Sequence, residues 1–423
     1  MRINFPYYED ILPFEVPNKN LIGTYQPSIV KAVSPAMDLI RRAFENPIGS
    51  ERISCLARGC KSALILTDDH TRKTPAKEVL HFLIPELEAA GIPRSAIRIM
   101  IALGTHRPMT DAEILDKFGQ EIRRDFEVVN HEWRNKKQLS DYGSTESGTP
   151  IRVNRAVEEA DFIFGIGQIV PHRIAGFSGG GKIIQPGICG EETTAQTHWR
   201  SAMYPGSEIL GVADNPVRLE IESVAERVGL KAIANAVCDA DGQLIDIFVG
   251  HPVAAHRAGA EVSRQIYGVK IPEPADILII DSYPMDIDLW QGAKALYAGE
   301  LAVKKSGVAI LISPCPEGIS RTHRLILEEG YRGSQETISR VESGQIADKV
   351  TAAHLVRVGR IIRDNGTGIL VSRGISWIDT EKLGFRHAST PQSALNMAFE
   401  IKGRDASVLI IKQGGTVLPI IGG

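Results

Sequence analysis

The sequence predicts an α/β protein built from two α/β domains with largely parallel sheets that flank a cleft. Three observations carry this. Short continuous apolar runs such as Ala63-Leu64-Ile65-Leu66 and Val408-Leu409-Ile410-Ile411 alternate with helical segments, the pattern of strands buried on both faces of a parallel sheet. At 423 residues the chain is too long for one ordinary core. The strand-and-helix rhythm pauses at Pro272-Glu273-Pro274 and then restarts.

The first sixty or so residues, with several prolines, read as short strands and turns, followed by a helix over residues 33–44. A strand at 63–66 ends in Thr67-Asp68-Asp69-His70-Thr71-Arg72. Thr74 then reads as an N-cap, Pro75 as the first helical position and Gly91 as the close of that helix. The strand at 97–102 ends in Leu103-Gly104-Thr105-His106, and Thr110-Asp111-Ala112-Glu113 forms a capping box for the next helix. A third apolar run covers 161–167. Beyond the Pro272–Pro274 linker, strands are expected at 277–281, 308–312, 368–371 and 408–411. The expected division is residues 1–271, residues 272–408, and a tail, 409–423, returning to the first domain.

Hydrophobic residues make up 43% and charged residues 23% of the chain, with a net charge of −3. This balance suits a globular enzyme and argues against a nucleic-acid or polybasic membrane-binding protein. Five cysteines without CxxC spacing do not form a disulfide framework or zinc knuckle, so a reducing cytoplasm is expected. No leader-like apolar run follows Met1, and no stretch reaches membrane-spanning length.

The richest segment runs from Pro171-His172-Arg173-Ile174 through Gly176-Phe177-Ser178-Gly179-Gly180-Gly181-Lys182 to His198. Consecutive glycines can turn their amides into an anion nest, with a lysine at its end as cation or nucleophile. Gly176 to Lys182 also matches a phosphate loop formally, but Ile183 stands where Ser or Thr must hold magnesium. The clusters 68–72, 104–106 and 172–182 each follow a strand, and open α/β sheets bind ligands beyond the carboxyl ends of their strands. One site can therefore collect all three, with Arg72 able to clamp a carboxylate bidentately. A zinc site from His106, His172 and His198 lacks close ligand spacing. The remaining histidines, His323 and His354 among them, read as ordinary.

Together, Asp69-x-x-Arg72-x-Thr74-Pro75, Gly104-Thr105-His106, Pro171-His172, Gly176 to Lys182, His198 and Gln291-x-x-Lys294 resemble the nickel-dependent lactate racemase family over nearly the whole chain. The resemblance implies a nickel-pincer nucleotide, a pyridinium-3-thioamide-5-thiocarboxylic acid mononucleotide carrying nickel. It would be tethered to Lys182 through a thioamide and made by dedicated cofactor-synthesis enzymes. It implies His198 as nickel ligand, and Asp69, Ser178, Gly179, Gly180 and Gly181 on the cofactor side. His106 and His172 become acid/bases for reversible hydride transfer from a 2-hydroxy acid. Arg72, Gln291 and Lys294 become carboxylate contacts, with Trp290 and Ile174 beside the substrate. Trp290 stands where lactate-specific members carry tyrosine, which leaves malate or a sugar acid such as gluconate as alternatives. A phosphate-loop NTPase or kinase, or a non-catalytic organic-acid binder, are the readings of other classes.

Overall fold

The structure is a computed structural model and describes residues 1–28, 30 and 32–422. They form two compact units: Ile29–Ser201 with Gly211–Ile266, and Met1–Ser28 with Ala202–Leu210 and Tyr267–Gly423. Among the described residues no helix is long and apolar enough to cross a membrane.

The first unit is organised on a six-stranded sheet. Its order across is Leu244–Gly250, Leu230–Cys238, Phe162–Gln168, Ala63–Thr67, Ile97–Ile101 and Glu127–Asn130. All neighbours are parallel except the first pair. The strands expected at 63–66, 97–102 and 161–167 are present, displaced by a residue or less. Ala63–Thr67 is buried at every position, as a strand covered on both faces must be. Its core joins Ile65, Ile99 and Phe164 to Leu80 and Leu83 of the helix Ala76–Ala89. The chain runs outward from Ala63–Thr67 in one direction and returns through Phe162–Gln168 in the other. The switch point lies between these two strands, and the loops following both of them carry the polar clusters.

The capping box is present: Thr110 Oγ1 accepts from Glu113 N at 3.3 Å, and Glu113 accepts from Thr110 N at 2.8 Å. Thr74 is not an N-cap. Pro75 holds that position without a side-chain bond, because the Thr74 hydroxyl is spent on Asp68 Oδ2 at 2.5 Å.

The second unit has its own six-stranded parallel sheet, ordered Arg386–Ala388, Gly366–Val371, Val303–Ile312, Ala275–Asp281, Val408–Ile411 and Leu21–Tyr25. The compact units depart from the chain-order division. Residues 1–28 belong here, because Leu21–Tyr25 completes the sheet edge and Ile3, Phe5, Tyr7 and Phe14 of the opening hairpin enter this core. Asn20 sets the register by donating to Arg404 O and Ala406 O, both at 2.9 Å. The tail also stays here: Leu418–Ile421 pairs in parallel with Gly268–Ile271. Pro272-Glu273-Pro274 therefore joins two strands of one unit instead of crossing from one unit to the other.

Candidate active site

In the first unit the loop after Ala63–Thr67 is held from several sides. Lys117 Nζ donates to Asp68 Oδ1 and to the Asp69 carbonyl, both at 2.9 Å. Asp69 Oδ1 accepts from Thr71 N at 3.0 Å and Thr71 Oγ1 at 2.5 Å. Its other oxygen meets His106 Nδ1 at 2.6 Å. Burial alone would raise the Asp69 carboxyl, but the His106 and Thr71 bonds prevail and hold it well below the usual carboxylate range. A carboxylate only accepts, so His106 carries a proton on Nδ1, and in the neutral ring the lone pair sits on Nε2. The Asp69 side chain is 4% exposed and that of His106 51%: the carboxylate is inside and the imidazole faces outward.

The segment after Phe162–Gln168 opens with a tight hairpin, Pro171–His172 against Gly176–Phe177. The amide of Ile174 donates to His172 Nδ1 at 3.2 Å, which places the neutral ring's proton on Nε2. Gly176 has φ +75°, and a Cβ there would lie 1.9 Å from Val212 O. Gly176→Ala is therefore expected to destabilise the protein by about 3 kcal/mol or more, read as a lowered urea midpoint, because backbone and not a movable side chain is in the way.

Part of the glycine run's hydrogen-bonding capacity is already spent inside the protein. The amide of Gly180 donates to Asn235 Oδ1 at 2.6 Å, that of Ser178 to Val170 O at 2.8 Å, and that of Lys182 to Gly179 O at 3.2 Å. The Ser178 hydroxyl donates to Gln168 O at 2.6 Å and accepts from Val170 N at 2.9 Å, so Ser178 braces the loop. The run is also entered from a hairpin and leads into the short 3-10 turn Gly180–Ile183, unlike a phosphate loop that opens a helix. What shapes the segment is Arg218, which is fully buried. Its guanidinium donates to Ala175 O at 3.1 Å, Gly179 O at 3.0 Å and Phe177 O. The buried His256 Nε2 meets Ser178 O at 2.9 Å.

That turn presents Lys182, whose side chain is half-buried. Its amine has no hydrogen-bond or ion-pair partner among the described residues. Loss of hydration, then the charges of Arg72 and Arg218, lower it to about 7, against a smaller opposing pull from Asp69 and Asp68. The strand-end clusters thus meet electrostatically, and Gly104 N donates to Gly187 O at 2.8 Å, seating the His106 turn on the chain just after Lys182.

His198 lies on the helix Glu191–Ala202 and its Nδ1 is 2.8 Å from the Thr194 carbonyl. That bond fixes the proton on Nδ1 and turns the lone pair to Nε2, the tautomer a metal-binding histidine needs. Among the described residues no group of three or more His, Cys, Asp or Glu could hold a metal ion. The zinc reading from three histidines therefore has no support here. Cys189 is buried, and burial pushes its thiol far above the ordinary range, so it is inert.

In the second unit, Trp290, Gln291 and Lys294 lie in and after the short helix Leu289–Gly292, which follows the strand Ala275–Asp281. Asp288 caps it by accepting from Gln291 N at 2.8 Å. Lys294 Nζ donates to Gln291 Oε1 at 2.7 Å, which leaves the Gln291 amide group to donate outward. Sequence reading missed Arg218, Asn235, His256 and Lys117 in the first unit, and His323 and His354 in the second. Each acts through contacts remote in sequence; Asn215-Pro216, an N-cap followed by proline, is a local signal for the helix that carries Arg218 but not for its contacts.

The chain is similar to known proteins over nearly its whole length. Residues 7–209 match the family described as lactate racemase N-terminal domain, and residues 271–419 the lactate racemase C-terminal domain. Lactate racemase of Thermoanaerobacterium thermosaccharolyticum is 31% identical over 98% of both chains. That of Lactiplantibacillus plantarum is 27% identical over 97% of this chain and 98% of its own. The solved lactate racemase apoprotein from T. thermosaccharolyticum superposes with a TM-score of 0.89 at 30% identity, covering 99% of this chain and all of its own.

Proposed function

The chain belongs to the lactate racemase family, and from that premise we propose that it is an isomerase that inverts the hydroxyl-bearing carbon of lactate or a related 2-hydroxy acid. His106 and His172 are its acid–base residues. The observation that carries this reading is the Asp69–His106 pair beside the near-neutral amine of Lys182.

The two histidines are not equivalent as they stand. His106, with Nδ1–H held by an ionised carboxylate, has Nε2 ready to take the substrate's hydroxyl proton and stabilises the resulting imidazolium through Asp69. His172 accepts at Nδ1 and carries its proton on Nε2, so it first serves as a donor to the substrate oxygen. It becomes a base only when the 3.2 Å bond from Ile174 exchanges. Arg72 in the first unit can clamp a carboxylate bidentately, and in the second unit Gln291 and Lys294 are carboxylate donors.

The residues fit the nickel-pincer nucleotide on two counts. An amine titrating at about 7 is largely neutral at slightly alkaline pH, as a lysine must be to form a thioamide. A histidine that keeps its Nδ1 proton on Thr194 O suits a metal whose other donors arrive with the cofactor. When bound, this group would supply reversible hydride transfer. His198 would hold the nickel and Lys182 the tether. The test is coexpression with the cofactor-synthesis enzymes, followed by the mass of the Lys182 peptide, nickel content, and loss of optical rotation for enantiopure lactate, malate and gluconate. An unmodified Lys182 with no racemisation would overturn the reading.

Asp69→Asn is expected to lower kcat by about 10²–10⁴-fold with a small change in KM, since it removes the charge that sets the His106 tautomer. The same variant should change acid stability. The unfolded carboxyl titrates near 4 (roughly the free value), while the folded one is depressed. Its stabilisation is therefore full above roughly pH 4 and lost as pH falls below that. Thermal unfolding scanned downward in pH should show a shallower acid limb in the variant.

A further inference from the structure

The second unit holds a polar aromatic cluster of which the reading above uses only Lys294. The indole of Trp290 stacks on the imidazole of His323, with centroids 3.7 Å apart and planes at 19°. It also leans on His354 at 4.6 Å. The amine of Lys294 lies 5.5 Å from the centroid of the same indole. His354 offers nothing to a ligand, because Tyr297 and Tyr331 hydroxyls occupy its Nδ1 and Nε2 at 2.6 and 2.9 Å. It is a back wall.

His323 differs, and counting protons shows how. Thr351 Oγ1 lies 2.5 Å from Asp348 Oδ2. The carboxylate can only accept, so the threonine's single proton is spent there. His323 Nδ1 is 3.0 Å from the same hydroxyl oxygen and must donate to it. Asp348 is itself fixed, accepting from Val350 N at 3.0 Å and Thr351 N at 3.1 Å as the cap of the helix Lys349–Gly359. The relay leaves the neutral ring's lone pair on Nε2, which has no hydrogen-bond partner among the described residues. Burial and the Lys294 charge outweigh the pull of Asp348 and keep the ring below its ordinary titration range, so it is a neutral acceptor at pH 7. Turning the ring over would sacrifice the bond to Thr351.

We propose that His323 Nε2 is a specificity-determining acceptor for a hydroxyl on the third carbon of the substrate, so that the enzyme prefers a 2,3-dihydroxy acid to lactate. This rests on the racemase reading, with the substrate carboxylate on Gln291 and Lys294. Holding the carboxylate there brings the third carbon to the indole that both Lys294 and His323 touch. A hydroxyl gives its proton to Nε2 and its C–H face to the ring. A methyl group displaces water from the acceptor and returns nothing, which is how a polar site discriminates against an apolar analogue.

Glycerate and lactate differ by one hydroxyl on that carbon. With nickel-loaded protein, kcat/KM for enantiopure glycerate is expected to exceed that for lactate by about tenfold or more. His323→Phe keeps the stack and removes the acceptor, so it should erase the preference by lowering glycerate turnover alone. Independently of catalysis, imidazole nitrogen NMR of the apo protein should show His323 protonated at Nδ1, and Thr351→Val should lose that tautomer. Equal kcat/KM for the two acids, an equal loss for both in His323→Phe, or an Nε2-protonated ring overturns the proposal and leaves His323 a prop for Trp290. If nickel-loaded protein turns over no 2-hydroxy acid at all, the racemase reading itself falls and this proposal with it.

Discussion

Lys182→Met should abolish covalent loading and racemisation together, yet leave the apo protein more stable than the parent at pH 6. Both effects follow from one amine. Lys182 sits half-buried with no acceptor among the described residues, close enough to Arg72 and Arg218 to feel their charge. Its pKa is lowered from an ordinary 10.5 to about 7, so at pH 6 the native state carries a cation in poor surroundings. In the unfolded chain the same amine binds its proton freely up to the ordinary value. Between those two values the unfolded state therefore holds more protons than the native one, and stability rises with pH, by at most about 1.4 kcal/mol per pH unit for one group. Methionine fills the same space without the charge, so the gain should be largest below pH 7 and fade by pH 10. Denaturant midpoints of both apo proteins from pH 6 to 10 check this. A parallel experiment labels the native apo protein with an amine-reactive reagent. Lys182 should reach half-maximal reactivity near pH 7, well before exposed lysines. A methionine variant that still carries the mass adduct would place the tether elsewhere.

Arg218→Leu is the second large effect, and it acts on folding first. The guanidinium is the common donor for the carbonyls of Ala175, Phe177 and Gly179, all in a segment with little exposure. Leucine would take the guanidinium donor from all three; Ala175 O keeps Phe177 N at 2.8 Å and Gly179 O keeps Lys182 N at 3.2 Å, so the cost is about 1–3 kcal/mol for the Phe177 oxygen and less for the other two. Glu222 would keep Arg257, which donates to both its oxygens at 2.7 and 2.8 Å, so the loss falls on the loop and not on a stranded carboxylate. A total of about 3 kcal/mol or more is expected in urea unfolding. Burial already lowers the guanidinium to about 10, so it stays charged at neutral pH. Arg218→Lys should recover part of the stability, since one ammonium can reach some but not all of three carbonyls in a planar fan. Loading of Lys182 should fall in both variants, because the turn that presents the amine is braced from this side chain.

The relation between chain and fold differs from element to element for physical reasons. Ala63–Thr67, Phe162–Gln168 and Val408–Ile411 are legible in the sequence because a strand buried on both faces must be continuously apolar, a local signature. The capping box at Thr110 and Glu113 is equally local. The glycine run was legible as a feature, but the partners that shape it were not. Glycines permit a nest, but the Gly180 amide is taken by Asn235 Oδ1 and the Gly179 carbonyl by Arg218, residues more than thirty positions away.

What the sequence determined by itself was the α/β class, the strand ends where chemistry would gather, and the set of motifs that names the family. Tertiary structure alone decided that residues 1–28 complete the second sheet and that Asp69 holds His106 by one particular nitrogen. It also decided that His323, unremarkable in the sequence, is a committed acceptor. The reason is common to all three. Apolar periodicity and glycine are properties of neighbours along the chain, whereas a tautomer, a lowered amine or a sheet edge is set by partners that only folding brings within about 3 Å.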